Sequence, residues 1–251
     1  MAGRMRGIAL GVVLGVIFLV LLLWMDNEML SPLPEGLSTY ANEIDTTFFI
    51  IYYITGAAFV LVTVLLVLFL IQGWNRRRQG HPAIYSHGSN VLEFVWTIIP
   101  AIVFIVLFLI SQGTWAKIKY QDIAPRGDVE VRVTAKQFNW EFQYPGPDGK
   151  FDTGDDKTID GDLHVPVNKK VRLYLRAKDV IHSFFVPVLR LKQDAVPGRE
   201  IIAWFEAIKA GRWEIPCAEL CGPGHSGMKG WLKVDTDEEY AEWVQEQWPS
   251  S

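Results

Sequence analysis

Two cysteines, the only ones in the 251-residue chain, stand four positions apart in Cys217-Ala218-Glu219-Leu220-Cys221, and Gly222-Pro223-Gly224-His225-Ser226-Gly227-Met228 follows directly. Two thiolates, an imidazole and a thioether are soft or borderline donors, a set that suits copper rather than magnesium or calcium. A second imidazole stands upstream at His182, in Asp179-Val180-Ile181-His182-Ser183-Phe184. A trigonal blue-copper site uses one thiolate. Two thiolates that both bridge would instead hold a pair of copper ions. The cysteines alone also fit a disulfide in an exported domain. Half of a zinc site is a further reading, although Cys-x3-Cys with a His four residues later matches no common zinc spacing. A thioether serves neither alternative, and Met228 therefore separates copper from both.

Such a loop needs a scaffold, and the rest of the chain supplies one in two styles. Half of the residues are hydrophobic and the mean hydropathy is +0.16, with the apolar residues concentrated in the first half. Ile8 to Met25 is an apolar run behind Arg4 and Arg6, and Thr47 to Ile71 and Val91 to Ile110 are two more. Each is long enough to cross a hydrocarbon core of about 30 Å. The first run reads as a retained helix or as a signal peptide; its length, and the lack of Ala-x-Ala after it, favour the helix. Arg76, Arg77 and Arg78 lie between the second and third runs, whereas Asp26, Glu28, Glu35, Glu43 and Asp45 follow the first. The positive-inside rule puts the Arg cluster in the cytoplasm and everything after about Tyr120 outside.

Beyond that point the pattern changes to period two, as in Val129-Glu130-Val131-Arg132-Val133 and Val171-Arg172-Leu173-Tyr174-Leu175-Arg176, with Pro/Gly turn clusters between such segments. Short alternating strands of this kind predict a sandwich. Thr236-Asp237-Glu238-Glu239 predicts an N-cap with an acidic first turn, opening a helix to about Trp248. The expected segments are an N-terminal apolar helix with an acidic external loop (1–46), a transmembrane hairpin (47–120), the copper domain (121–235) and a C-terminal helix and tail (236–251). The chain has no Gly-rich phosphate loop, and no nucleic-acid partner is expected.

Cys-x-Glu-x-Cys-Gly-x-x-His-x-x-Met, preceded by Asp-Val-x-His-Ser-Phe, resembles the binuclear copper signature of cytochrome c oxidase subunit II, and the resemblance extends over nearly the whole chain. It implies two or three N-terminal transmembrane helices followed by an all-β, cupredoxin-like sandwich with a short C-terminal helix. It makes Cys217 and Cys221 bridging thiolates, His182 and His225 the imidazole caps of one copper each, and Met228 a weak axial ligand beside His182. The Glu219 carbonyl would approach the copper beside His225, and its carboxylate would face a magnesium site shared with subunit I. The implied role is to take electrons from cytochrome c, or from a c-type cytochrome domain, and pass them to haem in subunit I. Oxygen is reduced to water in that partner, with coupled proton translocation, so this chain is a subunit of an enzyme whose catalysis resides elsewhere. Subunit III is a further expected partner. The implied location is a bacterial inner (plasma) membrane, crossed several times in contact with lipid, with the copper domain on the periplasmic side.

Relatives of this kind carry an aromatic run that receives the donor, here Gln137-Phe138-Asn139-Trp140-Glu141-Phe142-Gln143-Tyr144. Phe138 stands where many have a Trp. Electron uptake then falls to Phe138 or shifts to Trp140, although Trp140 and Phe142 also fit as sandwich core. Glu93, near the start of the third run, corresponds to a carboxylate at the mouth of a proton pathway; a helix-capping Glu is the plainer alternative. His164 is expected to be a packing or surface residue, and His81 and His87 have no ligand role. Carboxylates crowd Asp148 to Asp162 and would steer a basic cytochrome or simply form a solvated loop. A membrane-anchored copper carrier, holding one labile ion, is the competing function from another class.

Overall fold

The computed structural model describes residues 33–82, 85, 87–120 and 126–249. The first apolar run, expected as an anchor or a signal peptide, lies outside the described residues. The chain divides into two compact units, one containing Thr46–Ile110 and the other combining Pro34–Asp45 with Ser111–Ser251.

Two helices, α1 (Ala41–Arg78) and α2 (Asn90–Lys119), supply the first unit with all but the first turn of α1 and the last turns of α2. At 1.5 Å per residue they run about 57 and 45 Å, longer than the bilayer core each must cross. No residue of α2 is buried, as expected of a surface meant for lipid or a partner. Arg76, Arg77 and Arg78 close the last turn of α1, where cations complement the helix dipole.

The second unit is an all-β sandwich closed by a helix. Its strands are β1 (Val129–Lys136), β2 (Asn139–Tyr144), β3 (Lys157–Asp160), β4 (Asp162–Pro166), β5 (Lys170–Ala177), β6 (His182–Val186), β7 (Leu191–Ala195), β8 (Ile201–Glu206), β9 (Gly211–Pro216) and β10 (Lys229–Asp235). One sheet has the order β3-β2-β1-β5-β8, a second β4-β10-β9, and β6 and β7 form a hairpin. The period-two pattern does what it predicts. Val131, Val133 and Ala135 of β1, Trp140, Phe142 and Tyr144 of β2, and Val171, Leu173 and Leu175 of β5 all point into one core with Leu163, Phe184, Phe205, Ile215 and Leu232. Helix α3 (Asp237–Gln247) begins at Thr236 with a complete capping box to Glu239. It docks through Trp243, which stacks on the His164 ring at 4.9 Å while that ring bonds Asp235 at 3.0 Å. His164 is thus a packing residue.

A strap of chain ahead of α1 completes the core. Leu37, Tyr40 and Ala41 are buried. Leu37 N–H donates to Val188 O at 2.7 Å, Ile208 N–H donates to Leu37 O at 3.0 Å, and Ser38 bridges Ala207. Arg190 fastens the same segment: its Nε and Nη2 bond both oxygens of Asp45, at 2.6 and 2.9 Å, and Nη2 also reaches Pro34 O.

Candidate metal centre

Two connections at one end of the sandwich hold the five candidate donor side chains. His182 is the first residue of β6, and the stretch from Cys217 to Met228 joins β9 to β10. Backbone bonds fix that stretch in place. Cys217 N–H donates to Met228 O at 3.1 Å, Ala218 N–H donates to Ser183 O at 3.0 Å, and a 3-10 turn covers His225–Gly227. Gly222 has φ +131, a conformation that favours glycine.

The donor atoms converge. Cys217 Sγ and Cys221 Sγ are 3.9 Å apart, as free thiols rather than a disulfide. His182 Nδ1 lies 3.9 Å from Cys217 Sγ, His225 Nδ1 lies 3.6 Å from Cys221 Sγ, and Met228 Sδ is 3.8 Å from Cys221 Sγ. Ligands bound at roughly 2.0–2.3 Å around a tetrahedral ion stand about 3.3–3.8 Å from one another, so these separations are near the spacing one metal needs. Two thiolates with an imidazole on each side and a thioether fit a pair of copper ions. His182, Cys217, Cys221 and Met228 are buried, and His225 is half-buried.

Burial acts on one thiol, too. It pushes the Cys221 thiol up to about 11, with the neighbouring Cys217 thiol adding to the shift. Metal binding must therefore displace a proton there. The Glu219 carbonyl lies 3.2 Å from Cys217 Sγ, while the Glu219 side chain is exposed.

Two further residues hold the centre, and the sequence did not single them out for it. Asp179 Oδ1 lies 2.8 Å from His182 Nε2, which turns Nδ1 towards the thiols, the usual outer-shell support of a ligating imidazole. Its other oxygen accepts Gln137 N–H at 2.7 Å. Gln137 Nε2 in turn donates to Cys221 O. In the sequence Asp179 appears only as the first residue of the Asp-Val-x-His-Ser-Phe element and Gln137 as the first of the aromatic run, with no role attached to either.

The remaining candidates separate. Phe138 is 38% exposed at the β1–β2 turn, against the copper loop. Trp140 is 0% exposed, in the core, with its ring 6.2 Å from that of His182 and 5.5 Å from that of Phe184. Glu93 lies in the first turn of α2, after Ser89.

Comparison with known proteins identifies the family. The family described as "Cytochrome C oxidase subunit II, periplasmic domain" matches residues 129–234, and "Cytochrome C oxidase subunit II, transmembrane domain" matches residues 26–112. Cytochrome c oxidase subunit 2 of a Synechocystis species is 30% identical, over 96% of this chain and 83% of its own. That of Cereibacter sphaeroides is 32% identical, over 76% and 71%. Among solved structures, the periplasmic domain of subunit II of cytochrome oxidase from Bradyrhizobium japonicum is 35% identical. It covers 49% of this chain and 95% of its own, with a TM-score of 0.44.

Proposed function

The chain belongs to the cytochrome c oxidase subunit II family, and from that premise we propose that it is the electron-accepting subunit of a haem–copper oxidase, carrying a binuclear copper centre. The observation that carries this reading is the pair of thiols 3.9 Å apart, with an imidazole beside each. Cys217, Cys221, His182, His225, Met228 and the Glu219 carbonyl are the residues that would hold the metals. Bound there, the copper pair supplies a one-electron centre shared over two nuclei. Asp179 orients His182, and the core residues Trp140 and Phe184 keep water from it.

A cytochrome c, or a c-type cytochrome domain, would dock near Phe138 and give up one electron at a time. The acceptor is haem in subunit I, where oxygen is reduced with coupled proton translocation, and subunit III completes the complex. The exposed Glu219 carboxylate would be free to help hold a magnesium ion shared with subunit I. The Arg76–Arg78 cluster supports a cytoplasmic side for the α1–α2 connection, hence a periplasmic copper domain in a bacterial plasma membrane and a cytoplasmic position for Glu93, suited to proton collection.

The test is a metal count with an EPR spectrum of the copper-loaded full chain in detergent. Two tightly held copper ions with hyperfine structure from one electron shared by two nuclei are expected. A single copper ion, or one readily lost to a chelator, would make the chain a copper carrier instead.

A further inference from the structure

We propose that Gly222 and Gly224 are positioning residues for electron uptake: lacking side chains, they let the Phe138 ring rest directly on the backbone between Cys221 and His225. This inference rests on the copper-pair reading above. Phe138 occupies the two-residue turn between β1 and β2, and that turn is tied to both ligand-bearing connections. Gln137 N–H bonds Asp179 beside His182, and the Gln137 side chain bonds the Cys221 carbonyl.

The ring itself spans both glycines. A Cβ on Gly224 would stand 2.5 Å from Phe138 Cδ2 and 2.7 Å from Cγ. A Cβ on Gly222 would stand 3.3 Å from Cε1 and Cζ, and 2.8 Å from Gln137 Nε2. Opposite edges of one ring thus lie over two residues, each adjacent in sequence to a candidate ligand. For Gly222 the positive φ already favours glycine. Gly224 has φ −92 and ψ 7, a conformation open to other residues. Its backbone gives no reason for a glycine there; the ring does.

The chemistry makes this contact matter. One electron leaves the donor's ferrous haem, which is oxidised, and reduces the copper pair; no bond forms or breaks and no proton moves. Phe138 cannot hold that electron, so it serves only as a bridge. Tunnelling across an open gap decays far faster than along bonds, so a ring in contact with the loop couples the donor to Cys221 and His225, and a displaced ring does not.

The experiment uses the purified oxidase complex containing this chain, with reduced mitochondrial-type cytochrome c as donor. The variants are Phe138→Ala, Gly224→Ala and the double substitution. Each single variant is expected to slow donor-to-copper transfer severalfold in pre-steady-state mixing, with the copper EPR spectrum and copper-to-haem transfer unchanged. The double variant is expected to be no slower than Phe138→Ala alone, because the two residues act through one contact. In the copper-free chain, a fluorinated phenylalanine at 138 should move towards its solvent-exposed resonance on Gly224→Ala. If Phe138→Ala slows transfer but Gly224→Ala does not, if the effects add, or if the fluorine resonance stays put, the cradle is overturned while uptake at Phe138 stands. If Phe138→Ala leaves transfer unchanged, uptake at Phe138 fails, and the cradle with it.

Discussion

Asp179 joins three parts of the centre through one carboxylate. Burial works to raise its pKa, yet the His182 side chain and the backbone amides of Gln137 and Val180 together hold it at about 2. It is therefore a fixed anion at the back of the imidazole, and Asp179→Asn keeps the shape while removing the charge. Outer-shell substitutions of this kind cost roughly 10–100-fold in metal affinity, and a loss of that size is expected for copper in competition with a chromophoric chelator. Unchanged affinity would mean that packing between Trp140 and Cys217 orients His182 without help. The candidate donors were legible in the sequence because soft donors at short intervals leave few other uses. Asp179 and Gln137 were not, because an acidic or amide side chain reveals nothing of its partner. Gln137 reaches a carbonyl 84 positions away.

Among the elements, the strap and the strands teach opposite lessons. Alternation in β1, β2 and β5 announced which residues face inward, but it carries no information about neighbours. The parallel pairings of β1 with β5 and of β10 with β4 appear only in the structure. The strap was invisible for a different reason. Leu37 and Tyr40 sit among Pro34, Gly36 and Ser38, with no period to follow, and their segment pairs through a single bridge. Yet Leu37 is only 2% exposed, as deep as much of the core. Leu37→Ala should destabilise the sandwich by about 2–5 kcal/mol, the range for buried Leu truncations. Denaturant unfolding, followed by exposure of the Cys217 and Cys221 thiols, measures it. A cost within a few tenths would show that the strap lies on a finished core rather than completing one.

Over the whole sandwich, two acidic elements sit at the end opposite the candidate copper donors. Strand β2 leaves the copper end at Asn139 and delivers Tyr144 to the loop holding Asp148, Asp152, Asp155 and Asp156. Strand β10 likewise leads from Met228 to α3, with Glu238, Glu242 and Glu246. Trp248 Nε1 bonds Asp155 O and joins the two acidic elements. Six residues of strand put them about 20 Å from the donors. Nearer the copper, Glu141 is spanned by Lys136 and Lys178, and Asp160 accepts from Asn139. Screening at physiological ionic strength acts over about 8 Å, so the far carboxylates contribute little to donor encounter. Glu238→Gln, Glu242→Gln and Glu246→Gln together should leave the association rate of the cytochrome unchanged at that ionic strength, measured by stopped-flow mixing. A marked fall would place the donor against α3.

The strap also governs how such a chain is made. Leu37 and Tyr40 are synthesised before either long helix, while the pocket they fill is assembled from residues around Val188, Trp204 and Ala207, more than a hundred positions later. Between the two lie α1 and α2. The early segment has to wait on the same face of the bilayer where the late one will arrive, and that happens only if both helices cross or neither does. A chain with one helix misinserted strands the strap on the wrong side and leaves an apolar groove open. Closure of the core is thus a built-in report that insertion succeeded.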